Sequence, residues 1–308
     1  MKKFILKNIL PPVINVVKLL LGSRNKVTID ASNWVFIIGS GRNGSTLLSS
    51  ILNNSPDLFI PPEQYVIQFY AAKWQLVRFK NSNQIFNALV QEFLIPKRTV
   101  NWEMTESDYE PLKENSYHSF HAMVTTIFNT YAIKKGKHQV KILGEKSPLM
   151  IHYWKLFVNE FPKANYLFLL RDPRDVVYSF SQVPDHEAND FQFAIWKWKD
   201  ALHQYQKMNS RGLNTLLVKY EELVADPSNE LQKIHNYLGT HFDPSTLNQS
   251  KDSTLLGVNE LVHHQNLVKP INTDSIGKWK GQLGEEQLTK IKKELGQLAS
   301  AYGYDLYD

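Results

Sequence analysis

The chain has no cysteine, which excludes disulfides and cysteine-ligated metals and leaves the compartment open. It also lacks any uninterrupted apolar run of the about 20 residues that a membrane-spanning helix needs. The nearest approach is residues 1–25, where Lys2, Lys3, Lys7 and Lys18 are scattered among Phe4, Ile5, Leu6, Ile9, Leu10 and Val13, and Pro11-Pro12 breaks the pattern. No small-residue cleavage site follows cleanly, so the stretch does not read as a signal peptide. Dense Lys/Arg runs and nucleic-acid recognition motifs are absent as well. The net charge of +5 over 308 residues therefore favours small anionic ligands or an anionic membrane surface, with no nucleic acid as partner. There is no internal repeat and no linker composition, so a single domain is expected over residues 31–308, after an N-terminal amphipathic segment at 1–30. That segment has two readings. It is either a peripheral membrane contact through residues 1–25, or a helix packed on the domain's flank. A cytoplasmic location is expected, with association at a membrane surface left open.

What the chain does have is apolar mass, 43% hydrophobic with 12% aromatic, enough for a full core. Its most informative stretch is Trp34–Leu52. Val35 to Ile38 are β-preferring and apolar. Gly39, Gly41 and Gly44 follow, then Ser45 and Thr46 open a segment with Leu47, Leu48, Ile51 and Leu52 at helical spacing. A buried strand, a glycine turn and a helix in that order form an anion site, because unpaired N–H groups and the helix dipole point out of the helix start. The spacing is that of the Walker A loop with one replacement: Ser45 stands where the phosphate-reaching Lys should be. That suits a 5′-phosphate or phosphosulfate better than a triphosphate, and Arg42 adds a bidentate anion partner. An ordinary strand–turn–helix is the plain competing reading.

The rest of the chain alternates strands and helices. Leu58–Ile60 reads as a short strand, which puts Glu63 at a strand's C-terminal end, where open α/β sheets bind ligands. Residues 64–138 read as mostly helical, most clearly Ser116–Lys135. A strand is expected at Gln139–Leu143 with Gly144–Pro148 as its exit loop, a helix at 149–160, and a buried strand at Asn165–Leu170. Pro173 then opens a helix. Further expected are a Trp-rich helix at 188–209, a strand at Thr215–Val218, a helix from Asp226-Pro227 to about 238, an irregular segment at 244–277 and a last helix at about 285–302. The pattern predicts an α/β fold: one P-loop-like domain, a mainly parallel sheet flanked by helices, and a helical insertion on the acceptor side. Trp74, Trp102, Trp154, Trp196 and Trp198 fit stacking on sugar or steroid rings and fit core packing equally well.

Four motifs together resemble the sulfotransferases that use 3′-phosphoadenosine-5′-phosphosulfate (PAPS). They are Gly39–Leu48, Leu169–Ser179 with its Arg171-Asp-Pro-Arg core, Leu217–Leu223, and Lys269–Asn272 with Gly277–Gly281. The last two, with Gly303-Tyr-Asp305, are similar to the protein-tyrosine branch and its bacterial relatives. The likeness runs from about Trp34 to Tyr304. It implies sulfonate transfer from PAPS to an acceptor hydroxyl (glycan, lipid, small alcohol or tyrosine), leaving 3′-phosphoadenosine-5′-phosphate (PAP), with no metal required. It leaves a homodimer open.

Residue by residue, the resemblance places the 5′-phosphosulfate at Arg42, Asn43, Gly44, Ser45, Thr46 and Leu47, and the 3′-phosphate at Arg171 and Ser179. Tyr220, Lys269 and Lys278 complete donor binding. Glu63 is the expected base; a plain helix N-terminal carboxylate after Pro61-Pro62 is the competing reading, and the two are compatible. Lys146 would stabilise the bridging oxygen. His263, with His264 beside it, falls near the position of a transition-state Ser in the tyrosine branch, where either could act as a base or donate to the sulfonate; plain solvent-facing loop residues are the favoured reading. A second basic residue expected after Ser179 is missing near Val183. The other function classes are a P-loop kinase or NTPase, which the absent Walker Lys opposes, and a non-catalytic nucleotide-binding protein on a membrane surface.

Overall fold

The computed structural model describes residues 33–64, 66–77, 82–94, 102–113, 115, 117–148, 150–183, 190–248 and 271–307. The expected segment at 1–30, and His263, His264 and Lys269, lie outside the described residues. Along the chain come β1 (Asn33–Gly39), α1 (Ser45–Leu52), β2 (Leu58–Phe59), α2 (Ile67–Val77), α3 (Ser82–Phe93), α4 (Glu106–Tyr109), α5 (Phe120–Lys134), β3 (Ile142–Lys146) and α6 (Met150–Glu160). Then follow β4 (Asn165–Leu170), α7 (Pro173–Ser181), α8 (Phe191–Ser210), β5 (Thr215–Lys219), α9 (Tyr220–Ala225), α10 (Pro227–Leu238) and α11 (Glu285–Ser300).

Among the described residues the strands form a five-stranded sheet in the order β2-β3-β1-β4-β5. β2 runs parallel to β3, with Leu58 opposite Ile142 and Phe59 opposite Leu143. β4 runs parallel to β5, from Tyr166 opposite Thr215 to Leu170 opposite Lys219. Helices occupy the connections, so the fold is the α/β arrangement expected. β4 is buried along its whole length, which is why its sequence is a continuous apolar run rather than an alternation.

The chain packs as two compact units. One takes in the residues up to Val35 and Pro56–Ala164; the other takes in Phe36–Ser55 and Asn165 onward. The core of the first is aromatic. Trp34 is fully buried, meets Phe128 at 5.0 Å between ring centroids, and donates its indole N–H to Thr125. Trp102 stacks on Tyr131 at 4.5 Å and donates Nε1–H to the carbonyl of Pro62, which fixes the backbone just before Glu63. Trp74 and Trp154 are buried here, and Trp198 is buried in the second unit; these three and Trp102 are core, not ring-stacking platforms. Trp196 is half-buried and stacks on Phe193.

Helix boundaries follow their caps. Asp172 accepts from Arg174 N–H and Pro173 fills the first turn of α7, as expected. α5 begins four residues later than its periodicity predicts, because Ser119 caps it by accepting from Ala122 N–H. β3 is also displaced, from the expected 139–143 to Ile142–Lys146. The N–H groups of Lys141 and Ile142 both bond the carbonyl of Asp57, so pairing with β2 starts there. Glu145 and Lys146, which read as exit loop because they are charged, are buried strand residues. Among the described residues no helix is long and apolar enough to cross a membrane.

Candidate functional site

In the second unit the loop between β1 and α1 has the strained geometry its glycines permit. Gly41 has φ +82°, Gly44 φ +92°, and Arg42 itself is left-handed at φ +54°. Asn43 is buried and donates Nδ2–H to the carbonyl of Leu169 at 2.7 Å, pinning the turn to the end of β4. Its side chain thus serves the loop's shape rather than facing outward. Gly44 caps α1 with no side chain, so the N–H groups of Ser45, Thr46 and Leu47 have neither an intrahelical acceptor nor a cap. That donor set is the one an anion satisfies.

The second motif meets this loop. Arg42 donates Nε–H to Ser179 Oγ at 3.1 Å, and Arg171 donates Nη1–H to the carbonyl of Arg42 at 3.0 Å. Arg171 is 7% exposed and lies over the Tyr220 ring at 4.6 Å from its centroid. It also donates to the Ser275 carbonyl, and its Nε–H is buried with no hydrogen-bond partner. A buried guanidinium with a spare N–H beside a cluster of unsatisfied backbone donors fits a second anionic group. Tyr220 in turn packs on the loop: a Cβ on Gly44 would sit 2.4 Å from its ring. Burial raises the Tyr220 phenol, against the pull of Arg171, so it stays neutral.

A further layer holds the 277–279 turn. Asp175 is buried and accepts from the N–H groups of Gly277 at 2.8 Å and Trp279 at 3.1 Å. Burial pushes its carboxyl up, and Arg171 with those two N–H groups pulls it down. Lys278, between them, is exposed. Arg174 lies over the Trp279 ring at 4.2 Å and pairs with Asp172 at 2.8 Å. Glu221 accepts from Asp172 N–H and from the Tyr304 hydroxyl, tying the start of α7 to the C-terminal Gly303-Tyr-Asp305 motif. Burial raises the Glu221 carboxyl. Asp175 and Glu221 were missed in the sequence. Their signal was present in the Asp-Pro-Arg-Asp and Tyr-Glu-Glu motifs, but a carboxylate's backbone partners are not visible there.

In the first unit Glu63 Oε2 and Lys146 Nζ form an ion pair, both side chains largely buried at 16% and 8% exposed. Glu63 Oε1 is buried with no hydrogen-bond partner. Behind them Glu145 is completely buried, and burial pushes its carboxyl up to about 8, with Glu63 adding to the rise and Gln64 and Lys146 opposing it. So Arg42, Asn43, Gly44, Arg171, Ser179 and Tyr220 come together in one unit, Ser45, Thr46 and Leu47 form the helix start beside them, and Glu63 meets Lys146 in the other. Lys278 has its place on the Asp175-held turn.

A parallel α/β sheet with a Lys-free anion loop at the first helix start, and a half-buried Arg42–Ser179 contact joined to it, is an arrangement suited to a phosphorylated ligand. The chain belongs to the sulfotransferase family: the family model described as "Sulfotransferase family" matches residues 34–244. Its chemistry is therefore transfer of a sulfonate group. The chain is 24% identical over 286 residues to protein-tyrosine sulfotransferase A of Caenorhabditis elegans, covering 89% of this chain and 68% of that protein. It is 23% identical over 284 residues to the protein-tyrosine sulfotransferase of Drosophila melanogaster, of which it spans 52%. Its fold is similar to the sulfotransferase domain of the Synechococcus PCC 7002 olefin synthase, with TM-score 0.63 at 23% identity, covering 92% of this chain and 99% of that one. The sulfotransferase domain of the curacin biosynthetic pathway gives TM-score 0.58 at 19% identity over 88% of this chain and 97% of that one.

Proposed function

We propose that this chain transfers sulfonate from PAPS to an acceptor hydroxyl by in-line displacement. The observation that carries the reading is the contact of Arg42 with Ser179 at 3.1 Å, with Arg171 on the Arg42 carbonyl, because it joins the two anion motifs into one cluster. In this reading the N–H groups of Ser45, Thr46 and Leu47, shaped by Gly44 and Asn43, hold the 5′-phosphosulfate. Arg171, Ser179 and Arg42 hold the 3′-phosphate, Tyr220 packs against the nucleotide, and Lys278 adds positive charge at the donor. Lys269 and His263 keep the donor-binding and transition-state roles that the family likeness assigns.

The acceptor oxygen forms a bond to sulfur as the bond from sulfur to the bridging phosphate oxygen breaks. Glu63 takes the acceptor's proton; in support, its Oε1 is committed to no hydrogen bond. Lys146 neutralises charge on the departing bridging oxygen, and it is ion-paired with Glu63. Binding, orientation and charge stabilisation supply the rate, as in phosphoryl transfer. The named relatives act on protein tyrosine, which makes a phenolic hydroxyl one acceptor class beside glycans, lipids and small alcohols.

The test is turnover of isotope-labelled PAPS with a panel of tyrosyl peptide, glycan, lipid and small alcohol, read by mass spectrometry. Labelled sulfonate on one acceptor class, with stoichiometric PAP, is the expected result. Donor left intact with every acceptor, at saturating donor, overturns the reading.

A further inference from the structure

Glu145 lies outside the donor motifs and carries no role in the reaction just described, yet it is fully buried directly behind the pair that does. Strand alternation sends it and Lys146 to opposite faces of β3. The groups that bear on its charge are Gln64, Gln68 and Glu63, with Lys146 next to it in the strand. Gln64 and Gln68 are both 0% exposed. Gln64 Oε1 is already committed: it accepts from Val66 N–H at 2.6 Å and Ile67 N–H at 3.0 Å, which starts α2. That leaves Gln64 Nε2, both amide atoms of Gln68 and both carboxyl oxygens of Glu145 buried with no hydrogen bond in good geometry.

The inventory of donors and acceptors decides how these groups can be reconciled. A carboxylate offers acceptors only, so it would leave Gln68 Oε1 without a donor and bury a negative charge beside Glu63. A neutral carboxylic acid donates its O–H to Gln68 Oε1, and its carbonyl oxygen, with two lone pairs, accepts from Nε2 of both Gln64 and Gln68. Every member is then served, and the cluster closes with small side-chain shifts. Because Gln64 adjoins Glu63 in sequence and starts α2, whatever fixes Gln64 fixes the Glu63 backbone. The Trp102 bond to Pro62 holds the other side.

We propose that Glu145 is a positioning residue that works as a buried neutral acid, clamping Gln64 and Gln68 so that Glu63 is held on Lys146, and that its ionisation loosens the pair. The inference rests on the reading of Glu63 as base, but its state is measurable without turnover. The burial-raised carboxyl is consistent with it. The ionisable groups that bias the switch are Glu63, at the entry to α2, which opposes ionisation, and Lys146, its strand neighbour, which favours it.

The experiment combines carboxyl carbon NMR on glutamate-labelled full chain with transfer kinetics across pH, in wild type, Glu145→Gln and Glu145→Ala. One carboxyl signal is expected to titrate near 8 and to vanish in Glu145→Gln. Glu145→Ala strands buried amides, so kcat should drop about tenfold or more with the KM for PAPS nearly unchanged. Glu145→Gln keeps a donor and an acceptor in the same shape, and should recover most of that loss while abolishing the alkaline decline of the wild type. A Glu145 signal titrating in the ordinary carboxylate range overturns the proposal. So does an alkaline decline that persists in Glu145→Gln. If no acceptor is sulfonated at all, the functional reading fails while the NMR titration still decides this one.

Discussion

Replacing Gly44 with Ala isolates the point where the anion loop and the nucleotide side chain depend on each other. Two costs add. The backbone at φ +92° disfavours any residue with a Cβ, by roughly 1–2 kcal/mol. The new methyl would also lie 2.4 Å from Cδ2 and 2.7 Å from Cε2 of Tyr220, a ring that is 6% exposed and held under Arg171. Relieving that overlap costs a further ~1–3 kcal/mol and moves the ring, the loop, or both. Gly212 provides the control: its φ is +68°, and a Cβ there meets nothing within 4 Å, so Gly212→Ala carries the backbone cost alone. Urea unfolding of both variants, with calorimetric titration of PAP, separates the contributions. Gly212→Ala should lose about 1 kcal/mol of stability and bind PAP normally. Gly44→Ala should lose roughly 2–5 kcal/mol and weaken PAP binding at least about tenfold. Gly44→Ala binding PAP as tightly as wild type would refute the claim that this loop and Tyr220 form the donor cradle.

Other consequences are read in separate assays. Glu63→Gln should abolish transfer while leaving PAP affinity nearly intact, since its charge pairs with Lys146 and not with the donor loop; normal turnover would reject Glu63 as base. Asp175→Asn removes an acceptor from the backbone of Gly277 or Trp279, so the Lys278 turn should loosen and PAP affinity fall roughly tenfold, with little change in kcat. Stability should fall as pH rises from about 4.5 to about 8, because folded Glu145 retains a proton that the unfolded chain has lost. The full difference is roughly 5 kcal/mol above that range, and Glu145→Gln should flatten the slope in urea titrations at several pH values.

The legible parts of the molecule were those whose chemistry is local. β4 and the start of α7 stand where the apolar run and the Asp172-Pro173 cap put them, and the glycine turn forms as its spacing requires. β3 was displaced because Glu145 and Lys146 read as loop. A charged pair at the end of a buried strand is stabilised only by partners distant in sequence, here Glu63 and the amides at the start of α2. For the same reason Asn43, expected at the donor, turns its side chain to the Leu169 carbonyl, and Arg42 reaches Ser179, which the family pattern assigns to a different phosphate. Asp175 and Glu221 escaped notice because they hold backbone N–H groups, which no motif of side chains encodes.

The most direct test of the donor assignment is calorimetric comparison of PAP with AMP on the full chain. In the proposed donor site Arg171, Ser179 and Arg42 hold the 3′-phosphate that AMP lacks, and charge-assisted hydrogen bonds contribute about 1.5–3 kcal/mol each. PAP should therefore bind at least roughly tenfold more tightly than AMP, and Arg171→Ala should erase most of that difference. Equal affinities for PAP and AMP would contradict the account.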